Sequence, residues 1–200
     1  IQFKMKKFFK KAFVVLGIAG MGLTTTSCDE VLNLDWGSLL SDIMNNVFTS
    51  SKTHAYQGSY TLQHLTSDGK GYYKAQSEVL TFSGATIEAS KTGDYSISLV
   101  LPGTDGIGDA TMSNITVSGL EFVKDEENGQ VTTKIDLGEN SYIDGTLTID
   151  GKTIEASNLF IDATITADKL VIGQASIYFG DNAEEAINVT FNGNVVAEKQ

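Results

Sequence analysis

From Ala55 onward the chain alternates apolar and polar residues with a period of two, and this restricts it to strands with one buried and one solvated face. The pattern is clearest in Tyr95-Ser96-Ile97-Ser98-Leu99, in Val131-Thr132-Thr133-Lys134-Ile135-Asp136-Leu137 and in Ile187-Asn188-Val189-Thr190-Phe191. It continues in Ile143, Leu147 and Ile149, and again in Ile161, Ala163 and Ile165, with Thr and Asp between them. Turn chemistry agrees: Asp68-Gly69, Asn128-Gly129, Asp144-Gly145, Asp150-Gly151 and Asn192-Gly193 are dipeptides that readily take the positive φ of tight hairpins. One proline, Pro102, leaves almost nothing to interrupt a ladder. Roughly eight to ten short strands in an all-β antiparallel barrel or sandwich are expected. A transmembrane barrel is not, because its strands need ~9 to 11 residues and aromatic girdles.

Ahead of the strands the period is 3.6. Leu39, Leu40, Ile43, Met44, Val47 and Phe48 recur at i, i+3, i+4 spacing, with Asp35 or Ser38 placed to cap a helix of about three turns. Its polar face carries no lysine, so a plug on the barrel end is expected rather than a membrane-surface helix. Trp36 belongs to the same segment.

The first part of the chain reads as an address. Met5 is the expected start, followed by Lys6, Lys7, Lys10 and Lys11 and then the apolar run Ala12 to Leu23. A dozen apolar residues fall short of the ~20 that cross a bilayer as a helix and match a signal-peptide core. Leu23-Thr24-Thr25-Thr26-Ser27-Cys28 follows and resembles a bacterial lipoprotein signal, with small Ser27 directly before the cysteine. Thr25 stands where such signals usually carry leucine. That resemblance implies acylation of Cys28, cleavage before it and anchoring of the mature chain, since each buried CH₂ contributes ~0.8 kcal/mol and two or three acyl chains hold firmly. Asp29 and Glu30 resemble the acidic export tags of Bacteroidetes surface lipoproteins. The organisation expected is a signal peptide over 1–27, a lipid-anchored tether with the short helix over 28–53, and the β domain over 54–197.

Charge narrows the function further. Nine of the 14 lysines and all 25 acidic residues follow Cys28, so the mature chain carries a net charge of −16 and has no arginine. Such a surface repels phosphate backbones, and nucleic-acid binding is excluded as an expectation. A single cysteine rules out an internal disulfide or a paired-cysteine metal site.

Candidate chemistry is sparse. His54 and His64 are the only histidines; along one strand, at ~3.4 Å per residue, they stand more than about 30 Å apart, too far to share a metal. They are expected to be satisfied surface histidines. Asp125-Glu126-Glu127 reads as a solvated loop tip, and no carboxylate pair is marked for glycoside hydrolysis. Gly103-Thr104-Asp105-Gly106-Ile107-Gly108-Asp109 offers oxygen ligands without the spacing of a calcium loop, and is expected to be a plain flexible loop. No nucleophile elbow or phosphate cradle is present. An enzyme is the minority reading, and no cofactor or metal is expected.

With the strands placed, Tyr56-Gln57-Gly58-Ser59-Tyr60, Met112 to Phe122, Asp144 to Leu170 and Ile187 to Asn192 together resemble the calycin-like β-barrel lipoproteins of Bacteroidetes, over about residues 54 to 193. The resemblance implies a lipocalin-like closed sheet with an interior able to admit a small molecule, and assigns no site residues beyond the lipidated Cys28. The function expected is a binding module for a small apolar or amphipathic molecule or a glycan, held in the cell envelope on the outer membrane. The alternative is a structural or protein-interaction lipoprotein with no ligand cavity.

Overall fold

The computed structural model of the chain describes residues 36–48, 53–127 and 130–196. The signal segment, Cys28 and most of the tether lie outside them. Helix α1 (Trp36–Val47) precedes twelve strands: β1 (Thr53–Ser67), β2 (Tyr73–Ala75), β3 (Leu80–Lys91), β4 (Ser96–Leu101), β5 (Thr104–Ile107), β6 (Ala110–Met112), β7 (Ile115–Glu127), β8 (Gln130–Asp144), β9 (Thr146–Ile149), β10 (Lys152–Ile165), β11 (Lys169–Phe179) and β12 (Glu185–Val195).

Eight of the strands close a barrel in the order β1-β3-β4-β7-β8-β10-β11-β12, with every pairing antiparallel and β12 returning to β1. Closure leaves no outermost strand, although the β3–β4 and β8–β10 seams pair over only part of their length. The count exceeds the eight to ten strands expected, because four short strands lie outside the ring. β2 adds to β1, and β5, β6 and β9 form a side sheet with the first residues of β10.

The period of two fills the ring. Tyr56, Tyr60, Leu62 and His64 of β1 point inward, as do Ile187, Val189 and Phe191 of β12 and Leu159, Ile161, Ala163 and Ile165 of β10. On β11 the buried set shifts from Leu170 and Ile172 to Ala175, Ile177 and Phe179. A bulge between Ile172 and Ala175 causes the change of parity.

Both ends are covered. At the end where β1 begins, α1 lays Ile43, Met44 and Val47 onto the core, and Phe48 meets the His54 ring edge-on at 5.1 Å. The plug expected from the spacing of the apolar residues is therefore what the helix forms. At the other end the side sheet acts as a wedge, with Ile107, Ala110, Met112 and Leu147 all buried in the same core.

The wedge corrects the reading of Gly103 to Asp109, which is an ordered hairpin pinned by Ile107 rather than a flexible loop. The turn dipeptides divide. Asp150 (φ 51°) and Gly151 (φ 77°) form the β9–β10 turn with two positive φ values, as a type I′ hairpin requires. Asp68-Gly69 lies in the β1–β2 turn, and Asp144-Gly145 is the corner between β8 and β9. Asn128-Gly129 lies outside the described residues; Glu127 and Gln130 on either side are register partners. Asn192-Gly193, expected to be a turn, is interior to β12. There Gly193 faces Gly58, and a Cβ on Gly58 would collide with the Asn192 carbonyl while one on Gly193 would collide with the Phe191 ring. The two strands approach closely because both residues lack a side chain.

Candidate functional site

The barrel interior is a core. Tyr56, Tyr60, Phe179, Phe191, Met44 and Leu62 are the bulkiest of its fully buried side chains, and they belong to one continuous apolar cluster running from α1 to the wedge. The two tyrosines keep their polar ends satisfied at its margins: the Tyr56 hydroxyl donates to the Thr166 carbonyl at 3.0 Å, and that of Tyr60 to the Pro102 carbonyl at 3.2 Å. Burial, with a contribution from Asp168, pushes the Tyr56 phenol up to about 12. Burial alone pushes Tyr60 up as well.

His54 and His64 both face inward from β1, so the expectation of surface histidines is corrected. The even spacing that places Tyr56, Tyr60 and Leu62 inside carries the histidines with them. His64 is 5% exposed; its Nε2 lies 2.8 Å from Glu185 Oε2, and the Thr66 hydroxyl donates to that same oxygen at 2.7 Å. Beside this cluster Tyr73 donates to the Ala183 carbonyl at 2.8 Å and stacks at a tilt on Tyr178, 5.8 Å between ring centres. Burial and the neighbouring Tyr178 raise the Tyr73 phenol. Glu184, fully exposed, has its carboxyl lowered chiefly by the Asn182 amide that donates to it at 3.2 Å. His54 lies at the other end under Phe48, and its buried Nε2 has no hydrogen-bond partner among the described residues. Among the described residues, no three histidine, cysteine or carboxylate groups come together as a metal site.

Among the described residues, three clefts half open to solvent lie on the outside of the barrel. Two sit where neighbouring strands part. β3 and β4 pair only from Glu88 to Lys91, which leaves β3 from Leu80 to Ile87 without a partner strand on that side among the described residues, beside a cleft of about 250 Å³. Its lining includes Tyr60, Phe82, Gly84, Ala85 and Pro102. β8 and β10 pair only at Ile135–Ala163 and Lys134–Thr164; beyond that contact lies a cleft of about 190 Å³ over Val117, Leu137 and Leu159, with Tyr142 exposed at its rim. The third, about 380 Å³, is a groove on the outer wall along β1, β12 and β11 at the β11 bulge. Thr61, Gln63, Gln174, Asn188 and Thr190 line it, and no charged side chain does.

The sequence marks none of these clefts directly, because two arise where pairing between distant strands stops and the third lies at a bulge on the outer wall. Only the glycines at the bulges, Gly84 (φ 74°) and Gly173, were a local signal for two of them.

Fold and surface together define a small closed antiparallel β-barrel protein with a filled interior and plugged ends. Comparison with protein-family models, with curated protein sequences and with solved structures finds no match. No helix among the described residues is long and apolar enough to cross a membrane.

Proposed function

We propose that this protein is a lipid-anchored envelope lipoprotein of the Bacteroidetes calycin-like kind, whose barrel is a scaffold for surface recognition rather than a container. One observation carries the reading: the inward side chains of the eight strands, the helix and the wedge merge in a single buried core. A lipocalin-type ligand would have to displace that core. Anchoring is supported by Cys28 after the apolar run and by its position eight residues before Trp36, where α1 begins, which leaves the barrel on a short tether close to the membrane.

A second reading, a glycan or other hydroxyl-rich small molecule, has support from the outer groove. Its volume falls in the range of small-ligand sites, and its amides and hydroxyls match sugar hydroxyls.

The test is a methyl-NMR titration of the domain with dodecanoate, a probe of container function. Saturable shifts in Ile87, Leu99 and Ile172 would overturn the scaffold reading; unmoved core methyls support it. Labelling cells with a fatty-acid analogue tests the anchor. Incorporation into the wild-type chain and none into Cys28→Ala is expected, and equal labelling of both contradicts it.

A further inference from the structure

We propose that the free edge of β3, from Leu80 to Ile87, is a docking site for an extended basic peptide segment of a partner protein, which adds to the barrel as a strand. The proposal rests on the scaffold reading and names the partner class for it. Three observations carry it.

The first is backbone. β1 occupies one side of this segment, and among the described residues no strand pairs with the other side until Glu88. An unpaired strand edge in an otherwise closed ring is a ready template for main-chain hydrogen bonds. The usual protections are weak here: Leu80-Thr81-Phe82-Ser83-Gly84-Ala85-Thr86-Ile87 contains no charge and no proline. The bulge at Gly84 divides the edge and leaves Leu80 to Ser83 as its longest regular run.

The second is the adjoining cleft. In strand addition the ladder gives affinity and a pocket for alternate side chains gives specificity. The cleft of about 250 Å³ lies directly beside the edge, with Phe82, Tyr60 and Pro102 on its walls. The Phe82 and Tyr60 ring centres are 6.5 Å apart. That space suits one medium apolar side chain.

The third is charge. The segments bordering the cleft carry Glu78, Glu88, Asp105 and Asp109, and the nearest lysines in sequence, Lys74 and Lys91, lie beyond them. All four carboxylates are exposed. A lysine-rich strand is attracted to this border. A second copy of the chain would set four carboxylates against four, which disfavours pairing of β3 with β3.

The experiment uses the soluble barrel with α1 and a capped synthetic peptide of alternating lysine and valine, followed by amide NMR and hydrogen exchange. Expected are saturable shifts and slowed exchange centred on Leu80 to Ile87. Binding should weaken with salt. It should fall about tenfold in Glu78→Lys combined with Glu88→Lys, and be lost with the same peptide N-methylated along one edge. Shifts elsewhere, no binding, binding that ignores N-methylation, or concentration-dependent β3–β3 pairing without peptide would overturn the proposal. The dodecanoate titration tests the scaffold reading separately, so failure here with unmoved core methyls removes only the β3 site.

Discussion

The wall built from β11, β12, β1 and β3 and the seams that join it to the rest of the ring follow the same alternation, yet they are held in different ways. β1 and β12 pair through eleven consecutive residues, Tyr56–Val195 to Thr66–Glu185, and are drawn together at Gly58 and Gly193. The β8–β10 seam closes on two residue pairs, and the β3–β4 seam on four. Where the ladders stop, the wedge of β5, β6 and β9 supplies the missing apolar contact through Ile107, Met112 and Leu147. Hydrogen-bonded closure at one end and side-chain closure at the other is what leaves openings in the wall without opening the core.

Mutations can break or sharpen this contrast. The largest effect is expected from Phe191→Ala in the laddered wall, about 4 kcal/mol of stability, with one cooperative transition and a lower Tm in thermal denaturation. Leu147→Ala in the wedge should cost about 3 kcal/mol and should additionally speed amide exchange at Val117 and Leu159, which border the β8–β10 cleft. Exchange rising equally along β1 and β12 would show that the wall and the wedge are one unit, against the contrast drawn here.

At the wedge end of the wall, His64→Ala leaves Glu185 Oε2 with the Thr66 hydroxyl alone. A loss of about 2 kcal/mol in denaturant unfolding is expected. Glu185→Gln keeps an acceptor oxygen and should lose less. Equal loss in the two would mean that shape, rather than the hydrogen bond, is what matters at this position.

A further effect is alkaline. Tyr56 holds its proton to about pH 12 when folded, against an ordinary phenol value of 10.0. Above about pH 10 the unfolded chain gives up that proton and the folded chain keeps it. Stability from this group is therefore complete below pH 10 and declines toward pH 12, by at most ~1.4 kcal/mol per pH unit. Tyr56→Phe should cost about 1 kcal/mol at pH 8 through the lost bond to the Thr166 carbonyl, and should fall less steeply above pH 10. Parallel pH profiles of the two proteins would contradict this origin.

Parts of the ring were legible in the sequence because uninterrupted runs of several strands keep one parity. Ile187 to Phe191, Ile161 to Ile165 and Ile97 to Leu99 each bury the alternate residues that the pattern marks. Legibility fails where backbone register intervenes. The β11 bulge flips the buried face between Ile172 and Ala175, and the inserted residues 138–141 of β8 interrupt its pairing with β7. Asn192-Gly193 has the local preference of a turn, but an eleven-residue ladder overrides it. Gly103 to Asp109 reads as loop from its glycines, and only tertiary contact reveals Ile107 as an anchor. His64 was expected at the surface although its even spacing from Tyr56, Tyr60 and Leu62 places it inside, and its partner Glu185, 121 residues away, depended on strand register. The clefts had no sequence signal beyond the bulge glycines, since a place where pairing stops is a property of two distant strands.

The inward side chains fill the barrel as one buried core. Xenon enters apolar cavities that are truly empty and reports them without needing the right ligand. A crystal of the domain pressurised with xenon should show no site ringed by Ile87, Leu99, Leu62 and Ile172, and at most weak occupancy in the outer clefts. A well-occupied xenon atom among those four side chains would contradict a filled core and return the barrel to the class of containers.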